Sequence, residues 1–316
     1  MGSGAREHAL AHVLARGADV VVTPGNPGIP GSVATPPAEV AADLYVVGPE
    51  APLVAGLADE LRATGRLVLG PGADGARLEG SKAWMKEVVA AAGVPTARHA
   101  AFAEVEPALA FLRGLPPPWV VKTDGLAAGK GVLVTGSLAE AEDDVRAKLS
   151  GRTFAGAGRT VVIEEGMTGP ELSILAVCDG TRAVALAPAQ DFKRVGDGDA
   201  GPNTGGMGAY SPVPFAGPDV VADVLDRFVG PTLAALRARG IDYRGVLYAG
   251  LMMTADGPRL VEYNVRFGDP EAEVVLPRLA SDLGDLLAAA AAGRITAAVE
   301  PTFVDDACVT VALATE

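Results

Sequence analysis

Rings are scarce in this chain. Aromatic residues make up 5% of its 316 residues, so the interior must be built from Ala, Val and Leu. Cysteine is rarer still, with Cys178 and Cys308 far apart and no Cys-x-x-Cys spacing. This argues against a disulfide framework or a zinc ribbon and leaves two buried strand thiols as the expectation. Of the three histidines, His8 and His12 share a helical face but lack the Glu of a zinc-protease helix, and His99 has no evident partner. No Ser/His/Asp or Cys/His set presents itself, so a covalent nucleophile is not expected. Basic residues are outnumbered, 26 against 39 acidic, for a net charge of −13. Nothing in that balance supplies a basic face for nucleic acid. A few lysines beside glycine-rich loops can still make a positive pocket for a small phosphorylated substrate. The longest apolar run, residues 286–292, is far shorter than a membrane span, and no charged and apolar leader opens the chain. The cytoplasm is the expected compartment, with no membrane partner and a monomer favoured.

What is present is the composition of an ordinary globular protein, 49% hydrophobic and 21% charged, long enough for two or three domains. Helix-like and strand-like signals alternate at the start: helices over 5–16 and 52–64, strands over 19–23, 43–47 and 66–69. That alternation predicts an α/β N-terminal domain around a shortened parallel sheet. The Pro/Gly run at 24–37 reads as a loop, a helix follows at 81–92, and Pro116 to Pro118 suit a hinge. Short strands are predicted at 119–123, 131–135, 160–165, 171–177 and 182–187, interrupted by a helix at 138–149, as in a small inserted α+β module. A Gly-rich loop (195–209), a helix (218–239), strands (246–254 and 259–265) and helices within 271–292 come next. A last strand at 307–314 runs to the end of the sequence and reads as a domain cut short.

Two segments carry chemistry. In VVKTDGLAAGKGVLV, Gly125, Gly129 and Gly131 let a backbone come close and present N–H groups, while Lys122 and Lys130 add positive charge. This suits nucleotide phosphates. It is not a Walker A loop, being one residue short with no Ser/Thr after the lysine. Taken alone, a plain hairpin with a glycine turn is the alternative. In RLVEYNVRFGDPEAE, strand alternation puts Glu262 and Asn264 on one face, a carboxylate and an amide oxygen as Mg²⁺ prefers when it also binds phosphates. Arg266 falls on the same face, where a guanidinium could hold a substrate carboxylate or a transferring phosphate. A solvated edge strand is the alternative, disfavoured by the tight Gly268–Asp269–Pro270 turn that follows.

Three weaker segments accompany them. QDFKRVGDGDAGPNTGGMGAYSP, with Asp191, Lys193 and Arg194, suits a loop closing over an anionic substrate. VVIEEGMTGPELS offers Glu164, Glu165 and Glu171 at strand ends, where a carboxylate could accept ribose hydroxyls, although exposed turn glutamates fit as well. Gly2 and Gly4 open a helix and offer an anion site, short of a dinucleotide fingerprint because position 7 is Glu7. An oxidoreductase reading therefore ranks last.

Taken in order, GSGAREHAL, PGNPG, VVGPEAPLVAGLADEL, SKAWMK, VVKTDGLAAGKGV, VVIEE with GPELS, QDFKRVGDGDAGPNTGGMGAYSP and VEYNVRFGDPE resemble the phosphoribosylamine–glycine ligase family of ATP-grasp enzymes. The resemblance covers nearly the whole chain. It implies an N-terminal substrate domain (1–78), an ATP-grasp domain (79–295) with a lid at about 119–178, and the start of a truncated C-terminal domain (296–316). It implies ligation of glycine to 5-phosphoribosylamine through glycyl phosphate, with ATP and Mg²⁺ (or Mn²⁺), in purine biosynthesis. By the same resemblance Lys82, Lys122, Lys130 and the Gly125–Gly131 loop hold phosphates, and Glu164, Glu165, Met167 (by its backbone) and Glu171 frame adenosine. Glu262 and Asn264 hold the metal. Arg266, Asp191 and Lys122 are the catalytic candidates, with Asp191, Lys193 and Arg266 toward glycine. Gly2, Gly4, Asn26, Pro49 and Glu50 face phosphoribosylamine. The chain departs from the family pattern in having only Met1 before the GSG turn, a short segment between PGNPG and VVGPE, Phe192 in the place of a histidine, and an early end. The rivals these departures raise are an ATP-binding remnant without turnover and an ATP-grasp ligase for another carboxylate and amine.

Overall fold

The five prolines between residues 24 and 37 have no N–H to give to a sheet, and that run stays irregular apart from a short 3₁₀ turn at Pro37–Glu39. The computed structural model describes residues 1–126, 131–151, 160–198 and 200–313. In the first part, α1 (Ala5–Leu14) precedes β1 (Tyr45–Val46), α2 (Glu50–Val54), α3 (Leu57–Ala63) and β2 (Val68–Leu69), and β1 pairs with β2 in parallel. The strand predicted at 19–23 is reduced to isolated parallel bridges, Val22 with Ser32 and Gly2 with Pro24. The helix predicted at 52–64 breaks in two because Gly56 takes φ 93°.

Two helices follow, α4 (Ala73–Gly80) and α5 (Lys82–Ala91). Ser81 caps α5 by accepting from the Trp84 N–H at 3.2 Å. The glycines at 75 and 80 hid α4 from sequence reading. Gly75 packs so closely on the Tyr243 ring that a Cβ would lie 3.0 Å from it.

Next come β3 (His99–Phe102), α6 (Val105–Arg113), β4 (Trp119–Thr123), β5 (Val132–Thr135), α7 (Leu138–Leu149) and β6 (Val161–Glu165). Their strands form an antiparallel sheet in the order β3-β6-β4-β5. Leu109, Leu112, Val121, Val145 and Ile163 fill the layer between it and the two helices. This sheet takes in β3, which precedes residue 119. Residues 171–178, assigned to the lid from sequence, belong instead to a second sheet.

That second sheet, ordered β12-β11-β7-β8, is built from β7 (Glu171–Asp179), β8 (Ala183–Ala185), β11 (Arg244–Thr254) and β12 (Gly257–Asn264). Its apolar side joins the first part of the chain in one core through Leu53, Leu61, Val88, Ile174, Phe228 and Leu260. The stretch 195–209 is not a loop. It lies largely in a hairpin of β9 (Gln190–Gly196) and β10 (Ala200–Ser211), extended by β13 (Cys308–Val311). Gly208, at φ 158°, allows the close approach of β13, since a Cβ there would press on the Thr310 carbonyl, and Gly206, at φ 137°, packs on Pro270. The helix predicted at 218–239 is α8 (Pro218–Val224), a π turn (Leu225–Val229) and α9 (Gly230–Arg237). Pro231 lacks the N–H that would continue the ladder, and the Gly230 N–H reaches back to the Leu225 carbonyl.

Two short helices, α10 (Ala272–Val275) and α11 (Leu283–Ala291), close the second sheet's other side. On α10 both Glu273 carboxyl oxygens are buried with no hydrogen-bond partner among the described residues. Burial, then the Asp269 charge, push its pKa up from 4.5 to about 8. The folded chain thus keeps a proton that the unfolded chain releases, so this contribution to stability is complete below pH 4.5 and lost as pH rises through about 8. Thermal unfolding across this range should show Glu273→Gln less weakened by rising pH than the parent. A variant with the same pH slope would refute the assignment.

Candidate functional site

Strand β12 sets the site. Tyr263 points into the core, where its hydroxyl lies 2.9 Å from Thr232 Oγ1 and donates to the Phe228 carbonyl at 2.9 Å. Its neighbours Glu262 and Asn264 therefore face the other way. Glu262 is half-buried and accepts no hydrogen bond among the described residues. Burial pushes its pKa up, but Lys122, Lys193, Lys82 and Arg266 outweigh that and hold it below the usual carboxylate range. It is an ionised carboxylate with open lone pairs facing a crowd of cations.

The cations come from separate elements. Lys122 on β4 donates to the Val261 carbonyl at 3.3 Å and pairs with Glu164 Oε1 at 3.0 Å. Glu164 Oε2 pairs with Lys86 Nζ at 3.1 Å, and both partners are 2% exposed. Burial lowers the Lys86 pKa to about 8 against the pull of Glu164. Glu164 is thus not an open strand-end carboxylate for a ribose. It is the buried anion that fixes two lysines, because its side of β6 turns inward. Lys82 donates to the Gly125 carbonyl at 2.9 Å, and Asp124 accepts from Ser81 Oγ and the Ala83 N–H, each at 3.1 Å. The start of the glycine loop is thereby docked on the N-terminus of α5. Gly131 accepts from the Thr123 N–H at 2.8 Å. Gly129 and Lys130 lie outside the described residues.

The other nucleotide candidates diverge. Glu165 accepts from the Arg98 N–H at 2.9 Å and pairs with Arg259 at 3.0 Å. Met167 is half-buried just beyond Gly166, whose N–H donates to the Pro118 carbonyl. Glu171 pairs with Lys193 at 2.8 Å, and the same ammonium reaches Asp191 Oδ2 at 3.3 Å. Asp191 is buried, while Phe192 points out of the opposite face of β9, 45% exposed, and stacks on Tyr210. The phenyl group therefore occupies no place in the site.

Arg266 does not present a free fork. Its guanidinium donates to Glu50 at 3.2 Å, Glu79 at 2.9 Å, Asn264 Oδ1 at 3.3 Å and the Phe267 carbonyl at 3.2 Å. Desolvation opposes its charge, but the facing Glu79 and Glu50 raise its pKa. It joins a metal-ligand candidate to Glu50, and one N–H at most is left for a substrate. Around it the amine-site candidates meet. Gly48, before Pro49, donates to the Met1 carbonyl at 2.9 Å, Asn26 Nδ2 donates to the Ser3 carbonyl at 2.7 Å, and Arg6 donates to the Phe267 carbonyl at 3.3 Å. The Gly2–Gly4 turn wraps the buried Glu7, which takes the Gly4 N–H at 2.6 Å. That amide is therefore not open to an anion.

Sequence reading passed over Lys86, Glu79, Glu271, Ser173 and Tyr248. Lys86 and Glu271 lie inside the quoted motifs SKAWMK and FGDPE, which was the available signal. Tyr248 had none, being one of many residues in a strand.

Comparison with known proteins gives this arrangement a family. Family models match twice: phosphoribosylglycinamide synthetase, N domain, over residues 1–79, and phosphoribosylglycinamide synthetase, ATP-grasp (A) domain, over residues 80–272. The chain belongs to the phosphoribosylglycinamide synthetase family. It is 50% identical to a phosphoribosylamine–glycine ligase of Xanthomonas campestris over 94% of this chain and 74% of that one, and 50% identical to one of Streptomyces coelicolor over 99% and 77%. The crystal structure of the Thermotoga maritima phosphoribosylamine–glycine ligase superposes with TM-score 0.86 at 34% identity, covering 98% of this chain and 78% of that one. A biotin carboxylase domain of a Hydrogenobacter thermophilus 2-oxoglutarate carboxylase, solved with MgADP, shares the fold at 18% identity and TM-score 0.64, over 85% of this chain and 58% of that one. The fold is therefore ATP-grasp with an N-terminal domain. Among the described residues no helix is long and apolar enough to cross a membrane.

In this member of the phosphoribosylglycinamide synthetase family, Glu164 is the keystone of the lysine pair. Glu164→Gln leaves Lys86 and Lys122 buried without their paired carboxylate and should cost about 3–5 kcal/mol in urea unfolding. A loss below about 1 kcal/mol would contradict the buried ion network.

Proposed function

We propose that this protein joins glycine to 5-phosphoribosylamine with ATP, giving glycinamide ribonucleotide, ADP and phosphate in purine biosynthesis. The glycine carboxylate attacks the γ-phosphorus and ADP leaves. The amine then attacks the carbonyl carbon of glycyl phosphate, phosphate leaves, and the amine releases a proton. The observation that carries the reading is Glu262, ionised, without a hydrogen-bond donor among the described residues, and facing Lys122, Lys193, Lys82 and Arg266. An anion in such company has a reason to stay there if a cation with open coordination positions joins it.

Glu262 and Asn264 are hard oxygen donors and fit Mg²⁺ (or Mn²⁺), which takes one or two protein oxygens and completes its shell from phosphates and water. When bound, the metal offsets repulsion between the phosphates and the incoming carboxylate. Lys82, Lys122, Lys130 and the backbone around Gly125, Gly129 and Gly131 hold the phosphates. Lys86 and Glu164 set the height of Lys122 beneath them. Glu165, Met167 and Glu171 frame the adenosine. Asp191 takes the glycine ammonium and Lys193 its carboxylate. Arg266 keeps Asn264 in register with Glu50, its remaining N–H facing the reacting carboxylate. Gly2, Asn26, Pro49 and Glu50 border the phosphoribosylamine, with Gly4 shaping the turn. In this reading residues 1–78 form the amine-substrate domain and 79–295 the ATP-grasp domain, continued by 296–316. The sheet β3-β6-β4-β5 is the lid, and the reaction runs in the cytoplasm.

The test is product formation from Mg-ATP, glycine and fresh phosphoribosylamine. Glycinamide ribonucleotide should form, and Glu262→Ala should lower kcat by about 100-fold or more with the fold retained. ATP cleavage without this product, or a fully active variant, would overturn the reading.

A further inference from the structure

Behind Asp191 lies a second buried carboxylate that the reaction as written does not use. Glu271, 2% exposed, sits at the start of α10. Asp191 and Glu271 are bridged by two hydroxyls from the sheet. Ser173 Oγ stands 3.5 Å from Asp191 Oδ1 and 3.5 Å from Glu271 Oε1, and Tyr248 Oη stands 2.6 Å from Glu271 Oε1 and 2.8 Å from Ser173 Oγ. Ser173 is fixed by paired backbone hydrogen bonds with Ala189, and Tyr248 by its place in the middle of β11.

We propose that Ser173 and Tyr248 are positioning residues for the amino-acid substrate, their hydroxyls joining Glu271 to Asp191 so that one carboxylate is held in place to receive the substrate ammonium. The inference rests on the assignment of Asp191 to glycine.

Proton counting supports it. Each hydroxyl has one hydrogen to give. Burial and then the Asp191 charge raise the Glu271 pKa, while burial and the Glu271 charge raise that of Tyr248. Tyr248 gives its hydrogen to Glu271 Oε1 and Ser173 gives its own to Asp191 Oδ1, so each carboxylate receives one hydroxyl hydrogen. That leaves the second oxygen, Asp191 Oδ2, for an ammonium. That oxygen is the one Lys193 Nζ occupies at 3.3 Å. A site that holds a lysine ammonium beside an aspartate has the chemistry to hold an α-ammonium. Without the chain, two carboxylates would share the burial with no donor between them, and Asp191 would lose its orientation.

Steady-state kinetics on the full chain separate the possibilities. Tyr248→Phe keeps the ring and removes only the oxygen, and Ser173→Ala removes the central link. Each should raise KM for glycine about tenfold or more, the scale of one hydrogen bond on a charged network, with KM for ATP and kcat within about twofold. The double variant should fall well short of the product of the two effects, because both break one chain. A KM for glycine that does not move, or KM values for glycine and ATP that rise together, would overturn the proposal. A parent enzyme that makes no glycinamide ribonucleotide would instead remove the assignment it rests on.

Discussion

An ionised glutamate without a hydrogen-bond donor among its described neighbours is the constraint around which this structure is arranged. Burial raises the pKa of Glu262, and the cations brought in from β4, α5, β9 and the segment just past β12 outweigh it and hold it below the usual carboxylate range. Each of those cations needs its own restraint. Lys122 has Glu164, Lys82 has the Gly125 carbonyl, Lys193 has Asp191 and Glu171, and Arg266 has Glu50 and Glu79. An acidic protein thus gathers positive charge at one place without a basic face. That is the local pocket a small phosphorylated substrate requires.

Arg266 extends the same constraint across the molecule. Because its fork touches Asn264 on one side and Glu50 on the other, the end of β12 cannot shift without moving the start of α2. The N-terminal glycine turn is pinned to the same region through Arg6 and the Phe267 carbonyl. Two parts of the candidate site, proposed above for nucleotide and for amine, are held in register by a few charged hydrogen bonds. This is how a reaction with three substrates gains orientation.

Much of this was legible in the sequence because it follows from local rules. Alternation on β12 places Glu262 and Asn264 together whatever surrounds the strand, and the helix predicted at 81–92 matches α5 within a residue at each end. The family motifs supplied the reaction itself. What was not legible depends on distant packing. The glycines in 195–209 read as a loop, yet β9 and β10 pair as a hairpin and the end of β10 also takes β13, from a distant part of the chain, as a partner. The helix α4 carries glycines that propensity disfavours, and one of them is needed for contact with Tyr243. Glu164 read as a ribose contact or an exposed turn residue because no local signal shows that β4 and α5 bring two lysines against its face. Arg266 read as a free clamp for the same reason, since Glu50 and Glu79 lie far away in sequence. Gly129 and Lys130, which the sequence singled out, lie outside the described residues.

The most direct measurement is diffraction from crystals grown with ADP and Mn²⁺, with the ion located by its anomalous scattering. The expected result is a peak at coordination distance, roughly 2.0–2.6 Å, from a Glu262 carboxylate oxygen and Asn264 Oδ1, with the diphosphate beside Lys122. An ion held away from these two side chains, or a diphosphate bound far from Lys122, would contradict it.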